Sequence, residues 1–341
     1  MVSILNEELV IENSNGMKAT FSNFGARLIE LIVPDRTGKR SNVVLGFDTH
    51  DEYVSNIGNY FGATLGPVAG RIAKGYFSKN NLKFQLIPNE GENHRHGGNE
   101  KSFDRVYWAA ELTEDEGSSA VQFSLESKSC NGGYPGDLFV ELTCLLTDKN
   151  ELIFKYIATA SSETPVNITN HIYWNLHDEG STSIVNHELQ IYSEKIVKMD
   201  SQLLPVGGYM SCVDSGMDFR NLTKIADSLP KNPTEPWPGI DNTFILSKKA
   251  TGELTEAAIL YDPISGRKMT ILTTEPSLQV YSSNRLENLK GRHGIHYGQG
   301  NAICIETQRV IDNNLLPNLQ SIVLKPDQKY FHQAIYKFSA E

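Results

Sequence analysis

VNITNHIYWNL, residues 166–176, alternates between apolar and hydrogen-bonding side chains. With the two-residue period of a β-strand, one face carries Val166, Ile168, Ile172, Trp174 and Leu176, interrupted by Asn170, and the other carries Asn167, Thr169, His171, Tyr173 and Asn175. Five hydrogen-bonding side chains in a row are more than a passive solvent face needs, because Lys or Glu would serve there as well. The pattern predicts a strand with a core side and a functional side suited to a polyhydroxylated ligand.

Short alternating runs bounded by turn residues recur along the chain, which indicates an all-β protein with hairpins. One predicted strand places on a single face Leu138, Val140, Leu142, Cys144 and Leu146, and the next does so with Leu152, Phe154, Tyr156 and Ala158. Each apolar row requires a facing sheet, so we expect a large antiparallel β-sandwich. Residues 221–229 carry the best helical signal, and the proline-rich segment 230–239 is expected to be a loop. No repeat or low-complexity segment divides the chain, which favours a single domain over residues 1–341.

Composition restricts the partners. The formal net charge is -10, from 31 basic and 41 acidic residues, which argues against nucleic acid or an anionic membrane as a partner. No apolar run approaches the roughly 18 residues of a membrane span, and no basic leader precedes an apolar run, so we expect a cytoplasmic location. The four cysteines are widely separated, which predicts reduced thiols. Cys304 is interpreted as a small buried hydrophobe, because Ile303 and Ile305 supply no basic partner.

Two residues stand out as candidate catalytic groups. Glu306 lies in an otherwise uncharged strand, and burying an ionised carboxylate is costly, so it is either a paired structural group or a working base. A lone histidine in a strand is more often structural than catalytic, but Thr169 and Tyr173 flank His171 on the polar face and favour a functional role.

Three further segments offer candidate binding residues. The loop at 93–98 contains His94, His96 and two glycines, which indicates a turn, a close approach to a ligand, or a metal site completed by Glu306. Asp241 fits an ordinary turn or an acceptor for sugar hydroxyls. Arg71 lies in a glycine-rich segment without the P-loop spacing, and it fits either a surface residue or an anion contact.

Taken together, these segments resemble the galactose mutarotase (aldose 1-epimerase) family over nearly the whole chain. The landmarks occur in family order: 45–48 (LGFD), 60–63 (YFGA), 70–75 (GRIAKG), 96–98 (HGG), 167–176, 218–220 (DFR), 241–242 (DN), 278–282 (LQVYS) and 306–308 (ETQ). The chain departs from the family at Gly70, where the family commonly has Asn, so one sugar hydroxyl contact is expected to be missing.

The resemblance implies a galactose mutarotase-like supersandwich with an open sugar-binding cleft, and an enzyme that interconverts the α and β anomers of hexoses. Carried over by position, Glu306 is the general base and His171 the general acid. Four residues are implied to hold the sugar: Arg71, His96, Asp241 and Gln279. No cofactor and no metal are implied, the expected partner is a small-molecule hexose, and a homodimer is the candidate assembly.

Four other functions compete with this interpretation. A hexose-phosphate 1-epimerase of the same fold should gather several Arg or Lys around the cleft. A glycoside hydrolase would use Asp241 and Glu306 as paired carboxylates but leaves His171 without a necessary role. A non-catalytic sugar-binding protein would be expected to have lost Glu306 or His171, and a metal hydrolase would use His94, His96 and Glu306 as ligands.

Overall fold

The computed structural model describes residues 6–79, 82–229, 239–311 and 321–341. The strands of the first half are β1 (Glu8–Glu12), β2 (Lys18–Ser22), β3 (Arg27–Pro34), β4 (Arg40–Asn42), β5 (Ala63–Leu65), β6 (Arg71–Ile72), β7 (Tyr76–Lys79), β8 (Leu82–Gln85), β9 (His94–Arg95), β10 (Ala109–Asp115), β11 (Ser118–Ser127), β12 (Leu138–Leu146), β13 (Glu151–Ala160) and β14 (Thr164–Pro165). Those of the second half are β15 (Thr169–His171), β16 (Glu188–Ile191), β17 (Ser193–Met199), β18 (Pro205–Ser211), β19 (Thr223–Lys224), β20 (Asp241–Leu246), β21 (Thr255–Tyr261), β22 (Arg267–Thr273), β23 (Ser277–Tyr281), β24 (Leu289–Lys290), β25 (His296–Tyr297), β26 (Cys304–Gln308), β27 (Val323–Leu324) and β28 (Tyr330–Ala340).

Helical structure is minor in the described part of the chain. The α-helix α1 (His50–Ser55) begins with a capping box, in which the Thr49 side chain accepts from the backbone of Glu52 and the Glu52 side chain accepts from the backbone of Thr49. Single 3₁₀ turns occur at Ile57–Asn59, Ala73–Gly75, Phe103–Arg105, Asn131–Gly133, Ile184–Asn186, Ile225–Asp227 and Arg292–Gly294.

The strands form three larger antiparallel sheets. A nine-stranded sheet has the order β10-β11-β12-β13-β28-β22-β21-β16-β19, a five-stranded sheet the order β18-β17-β20-β23-β26, and a four-stranded sheet the order β1-β2-β3-β4. The described strands also form separate two-stranded pairs: β14-β27, β15-β5, β24-β25, β6-β9 and β7-β8. The prediction of an all-β antiparallel sandwich is confirmed.

The main core lies against one face of the nine-stranded sheet. The predicted apolar rows of β12 and β13 are buried in it together with Val166, Ile168, Ile172, Trp174 and Leu176. Apolar side chains of the five-stranded sheet, including Phe244, Val280 and Ile305, join the same cluster. The segment 166–176 therefore packs its apolar side into the centre of the molecule, as its pattern predicted.

Two local predictions differ from the structure. Only 169–171 of the segment 166–176 forms a strand, and isolated bridges at Asn167 and Trp174 extend the pairing. The predicted helix at 221–229 is instead β19 followed by a single 3₁₀ turn, because Thr223 and Lys224 pair with β16 and so take extended backbone. Most of the predicted loop at 230–239 lies outside the described residues.

Candidate active site

The short strand β15 brings His171 to a pocket beside the five-stranded sheet. β15 pairs with β5, with His171 opposite Ala63, and the buried imidazole lines the pocket. Its ring stacks against Tyr60 and Tyr173, with centroid distances of 5.7 and 5.0 Å. These two contacts restrict the rotation of the ring, so its Nε2 atom keeps one direction.

The neighbouring asparagines of segment 166–176 serve the fold. Asn167 Nδ2 donates to the carbonyls of Ala69 and Arg309, and Asn175 Nδ2 donates to two carbonyls of other loops. Buried carbonyls need partners, and these side chains supply them. The functional side predicted from sequence therefore delivers His171 to the pocket, while Asn167 and Asn175 hold loops together.

Three adjacent strands supply the floor of the pocket. In β20, β23 and β26, Thr243 lies opposite Gln279 and Gln279 lies opposite Glu306, so the three side chains form one cross-strand row. Thr243 Oγ1 donates to Gln279 Oε1 at 2.5 Å, and Gln279 Nε2 donates to Asp241 Oδ1 at 2.7 Å. This chain of hydrogen bonds fixes the Gln279 amide and orients the Asp241 carboxylate.

Glu306 and His171 form a buried acid–base pair. His171 Nε2 lies 3.6 Å from Glu306 Oε1, and only 4% and 3% of the two side chains are exposed. Burial, and next the charge of Asp241, raises the pKa of Glu306 to about 8. Burial, and next the charge of Arg95, lowers the pKa of His171 to about 3. Both shifts favour the neutral forms, so in the free site the proton shared by the pair resides on Glu306.

One carboxylate oxygen of this pair has no hydrogen-bond partner among the described residues. Glu306 Oε2 is buried, and no group in the described part of the chain hydrogen-bonds to it. Gln308 Oε1 and Arg95 Nε, on residues that line the same pocket, are also buried without a partner. Buried polar atoms without partners are rare in native structures, and three of them on residues that line one pocket favour a site for a hydrogen-bonding ligand.

His96 lies on the opposite wall as a neutral hydrogen-bond donor. The backbone N–H of Gly70 donates to its Nδ1 at 3.2 Å, so the neutral ring carries its proton on Nε2. Burial and the charge of Arg95 hold the pKa of His96 well below its usual value. Its ring centroid lies 5.9 Å from that of His171, so the two imidazoles share one pocket with different protonation roles.

Gly70 also explains part of the pocket shape. Its φ is +92°, a conformation that strains other residues, and a Cβ built there would lie 3.0 Å from Ile311 Cδ1. A side chain at position 70 would therefore meet the pocket wall. The departure from the family's usual Asn leaves this position without a side-chain contact to a ligand.

The remaining wall is cationic. Arg71, Arg95 and Arg285 all line the pocket, and all three contact the carboxylate of Glu90. Of these, the sequence identified Arg71 alone. Arg95 lies between His94 and His96, and this position in the histidine-rich loop was the one available signal for it.

The histidine-rich loop at 93–98 contributes His96 to the pocket but not His94. His94 does not join His96, because its Nδ1 contacts the Ile87 carbonyl at 2.7 Å and its Nε2 contacts the Tyr134 hydroxyl at 2.8 Å. Among the described residues, no group of three His, Cys, Asp or Glu side chains is arranged to hold a metal ion. A Cβ on Gly97 would lie 1.9 Å from the Gly66 carbonyl oxygen, so this glycine serves backbone packing.

Cys304 is buried, as predicted, but it has a basic neighbour. Its Sγ lies 3.4 Å from His171 Nδ1, a contact across 133 positions of sequence. Burial raises the pKa of this thiol well above its usual value, so it remains protonated. The sequence neighbours Ile303 and Ile305 could not reveal this contact, because it depends on the close approach of β15 and β26 in the fold.

All six residues selected from the sequence line this pocket: Arg71, His96, His171, Asp241, Gln279 and Glu306. An antiparallel β-sandwich with a buried acid–base pair surrounded by hydroxyl-binding groups defines a class of carbohydrate-acting proteins. Comparison with known proteins specifies the class further. The model of the family described as Aldose 1-epimerase matches residues 7–337, and the chain belongs to this family.

Relatives and solved structures agree over the full length. The chain is 36% identical to the galactose mutarotase of Bos taurus over 327 residues, 96% of this chain and 92% of the relative. It is 30% identical to the aldose 1-epimerase of Escherichia coli (strain K12), covering 98% of this chain and 95% of the relative. The structure resembles a GalM/aldose epimerase homologue from C. elegans, with a TM-score of 0.88 at 30% identity, covering 98% and 99% of the two chains. Galactose 1-epimerase from Lactobacillus acidophilus NCFM gives a TM-score of 0.82 at 27% identity, covering 97% and 94%.

Proposed function

We propose that Glu306 and His171 together open and close the ring of a free hexose, with galactose and glucose as substrates. The protein is an aldose 1-epimerase (mutarotase), an isomerase of carbohydrate metabolism, since the family model and its full-length relatives carry that activity. The observation that carries the residue assignment is the Glu306–His171 contact at 3.6 Å, beside a Glu306 oxygen to which no described group hydrogen-bonds.

The two side chains carry out two coupled proton transfers. Ionised Glu306 removes the proton of the C1 hydroxyl while the His171 imidazolium protonates the ring oxygen. The C1–O5 bond breaks with its electron pair going to O5, and the bond from C1 to its own oxygen becomes a carbonyl. Rotation about C1–C2 then presents the other carbonyl face. Closure returns both protons, with Glu306 as the acid and His171 as the base.

The pKa shifts fit this cycle. Ring opening converts ionised Glu306 and protonated His171 into a neutral carboxylic acid and a neutral imidazole. Burial favours that neutral pair, which lowers the free energy of the ring-open state relative to the ionised pair. Hydrogen bonds from the C1 hydroxyl to Glu306 and from His171 to O5 favour the ionised pair when the closed sugar is bound. The site therefore stabilises both the ionised pair with the closed sugar and the neutral pair with the ring-open sugar.

The other pocket residues position the sugar. Asp241 and Gln279 offer acceptor and donor groups that are already oriented by their mutual hydrogen bond, and His96 offers an Nε2–H donor. Pre-oriented groups of this kind bind hydroxyls with little loss of side-chain entropy. They support a neutral polyhydroxylated substrate.

Polarimetry on freshly dissolved α-galactose and α-glucose, compared with the spontaneous rate, tests the proposed function. We expect acceleration with both sugars, and no acceleration with either would overturn the proposal. The glycoside hydrolase alternative would instead release methanol from methyl galactoside, which a mutarotase leaves intact because its anomeric oxygen carries no proton.

Three further expectations from sequence stay predictions. A homodimer is one, and light scattering on the purified protein measures it. A single domain over the whole chain and a cytoplasmic location are the others. Within the described ranges, no helix is both long and apolar enough to cross a membrane.

A further inference from the structure

Three arginines of the pocket wall form a cluster with Glu90, which does not itself line the pocket. Arg71 Nε and Nη2 donate to the two carboxylate oxygens of Glu90 at 2.5 and 3.1 Å. Arg95 Nη1 donates to Glu90 Oε1 at 3.1 Å, and Arg285 Nη1 lies 3.5 Å from the same oxygen. One carboxylate thus faces three guanidinium groups.

The backbone builds this convergence into the fold. Arg71 of β6 lies directly opposite Arg95 of β9 in a two-stranded ribbon, and like charges in that position repel each other. Glu90 is held by two reciprocal backbone hydrogen bonds with Asn93, at 3.0 and 2.9 Å. The turn from Glu90 to Asn93 therefore presents the Glu90 carboxylate to Arg71 and Arg95, and its negative charge offsets the repulsion between the two arginines.

The geometry is that of an anion site already filled from within the chain. Arginine forks bind carboxylate and phosphate groups in the bidentate manner seen between Arg71 and Glu90. Without the Glu90 charge, the same wall would present three cations to the pocket, which is the feature expected of an epimerase acting on sugar phosphates. With it, guanidinium groups that could bind an anionic ligand already contact a carboxylate that does not itself line the pocket.

We propose that Glu90 is a specificity-determining residue, whose carboxylate occupies the anion site of Arg71, Arg95 and Arg285 and so restricts the pocket to neutral sugars. The excluded ligands are aldoses that carry a carboxylate or a phosphate. This inference rests on the proposed function, because it concerns which sugars reach Glu306 and His171. A group of the protein that already occupies the binding site of a competing ligand is one source of specificity.

The variant Glu90→Gln tests this assignment. It keeps the size of the side chain and removes its charge. Galacturonate and galactose 6-phosphate are used as inhibitors of galactose mutarotation, because the first carries a carboxylate and the second a phosphate. We expect the inhibition constant of at least one of them to fall about tenfold or more relative to the unmodified protein. The two inhibitors also distinguish which anion the released site prefers.

Glu92→Gln is the matched control. Glu92 is exposed and lies two residues away, so replacing it removes the same net charge and leaves the contacts of Glu90 with the three arginines in place. We expect both inhibition constants to stay within twofold of those of the unmodified protein. The double variant with Arg285→Gln should lose part of the gain of Glu90→Gln. A general loss of structure would not strengthen binding of an anion.

Inhibition constants that stay unchanged for both anionic sugars in Glu90→Gln would overturn the inference, and so would an equal fall in Glu92→Gln. Arg285→Glu is a second variant at a half-exposed position, and it should raise both constants even if Glu90→Gln does not fold. A fall in that variant would also count against the cluster. If the unmodified protein does not accelerate galactose, the proposed function fails, and calorimetric titration of galacturonate into both proteins still tests Glu90.

Discussion

Replacing Glu306 with Gln should separate catalysis from stability, because the two depend on the same carboxylate in opposite ways. Gln keeps the shape of the side chain but cannot accept the C1 hydroxyl proton. A well-placed general base contributes about 10² to 10⁴ in rate, so the enzymatic rate should fall at least about 100-fold. Binding of galactose should persist, since Asp241, Gln279 and His96 remain in place.

The stability effect follows from the pKa of Glu306, which is about 8 in the fold against a usual value of 4.5. Between these two values the folded chain holds a proton that the unfolded chain releases. The free energy of unfolding therefore falls by about 1.4 kcal/mol for each pH unit of rise in that window. At pH 7 this loss is on the order of 3 kcal/mol. Gln does not ionise, so Glu306→Gln should be more stable than the unmodified protein by that order at pH 7 and equally stable near pH 4.

Polarimetry measures the rate, and urea unfolding at pH 4 and pH 7 measures the stability. Glu111→Gln, at an exposed position of β10, is the control, and it should change neither quantity. A rate within tenfold of the unmodified protein would refute Glu306 as the base. A variant less stable than the unmodified protein at pH 7 would refute the burial argument for its pKa.

Three other predictions follow from the same site. His171→Asn should remove most turnover while the protein keeps its melting temperature within a few degrees, and retention of more than a tenth of the rate would contradict its role as the acid. The profile of kcat/KM against pH should be bell-shaped, because the Glu306–His171 pair is active when it holds one proton. The rate should fall above about pH 8, where Glu306 loses that proton, and toward pH 3, where His171 gains a second one. A flat profile would exclude this pair. Asn167→Ala removes three buried hydrogen bonds, so the free energy of unfolding should drop by about 2 to 3 kcal/mol. The kcat of the folded protein should change little. A selective loss of kcat would show that Asn167 acts on the substrate.

Sequence periodicity predicted which side chains face the core. It did not predict what the polar side chains on the opposite face of each strand contact. The apolar rows of 138–146, 152–158 and 166–176 are buried together, because a two-residue period depends only on the strand itself. Asn167 and Asn175 show the limit of predicting side-chain contacts from periodicity. Their polar side chains also lie inside the protein, and their partners are carbonyls of loops distant in sequence.

The site residues show the same division. The six residues implied by the family resemblance converge on one pocket, but Arg95 and Arg285 were missed, as was the contact of Cys304 with His171. These features depend on which loops meet and on the register of β6 with β9. A local sequence pattern shows neither the loop contacts nor the strand register. The sequence neighbours of Cys304 therefore could not reveal its basic partner, His171.

The cross-strand row of Thr243, Gln279 and Glu306 has a consequence for how this enzyme could change. A shift of one residue in any of the three strands would turn its side chain to the opposite face and abolish the row. Glu90, by contrast, sits in a short turn, and Arg285 lies beyond the end of β23. The reaction is thus carried by a sheet that tolerates little variation, while the selection of the sugar is carried by segments that can vary independently. New substrates could be acquired, by evolution or by design, without disturbing the chemistry.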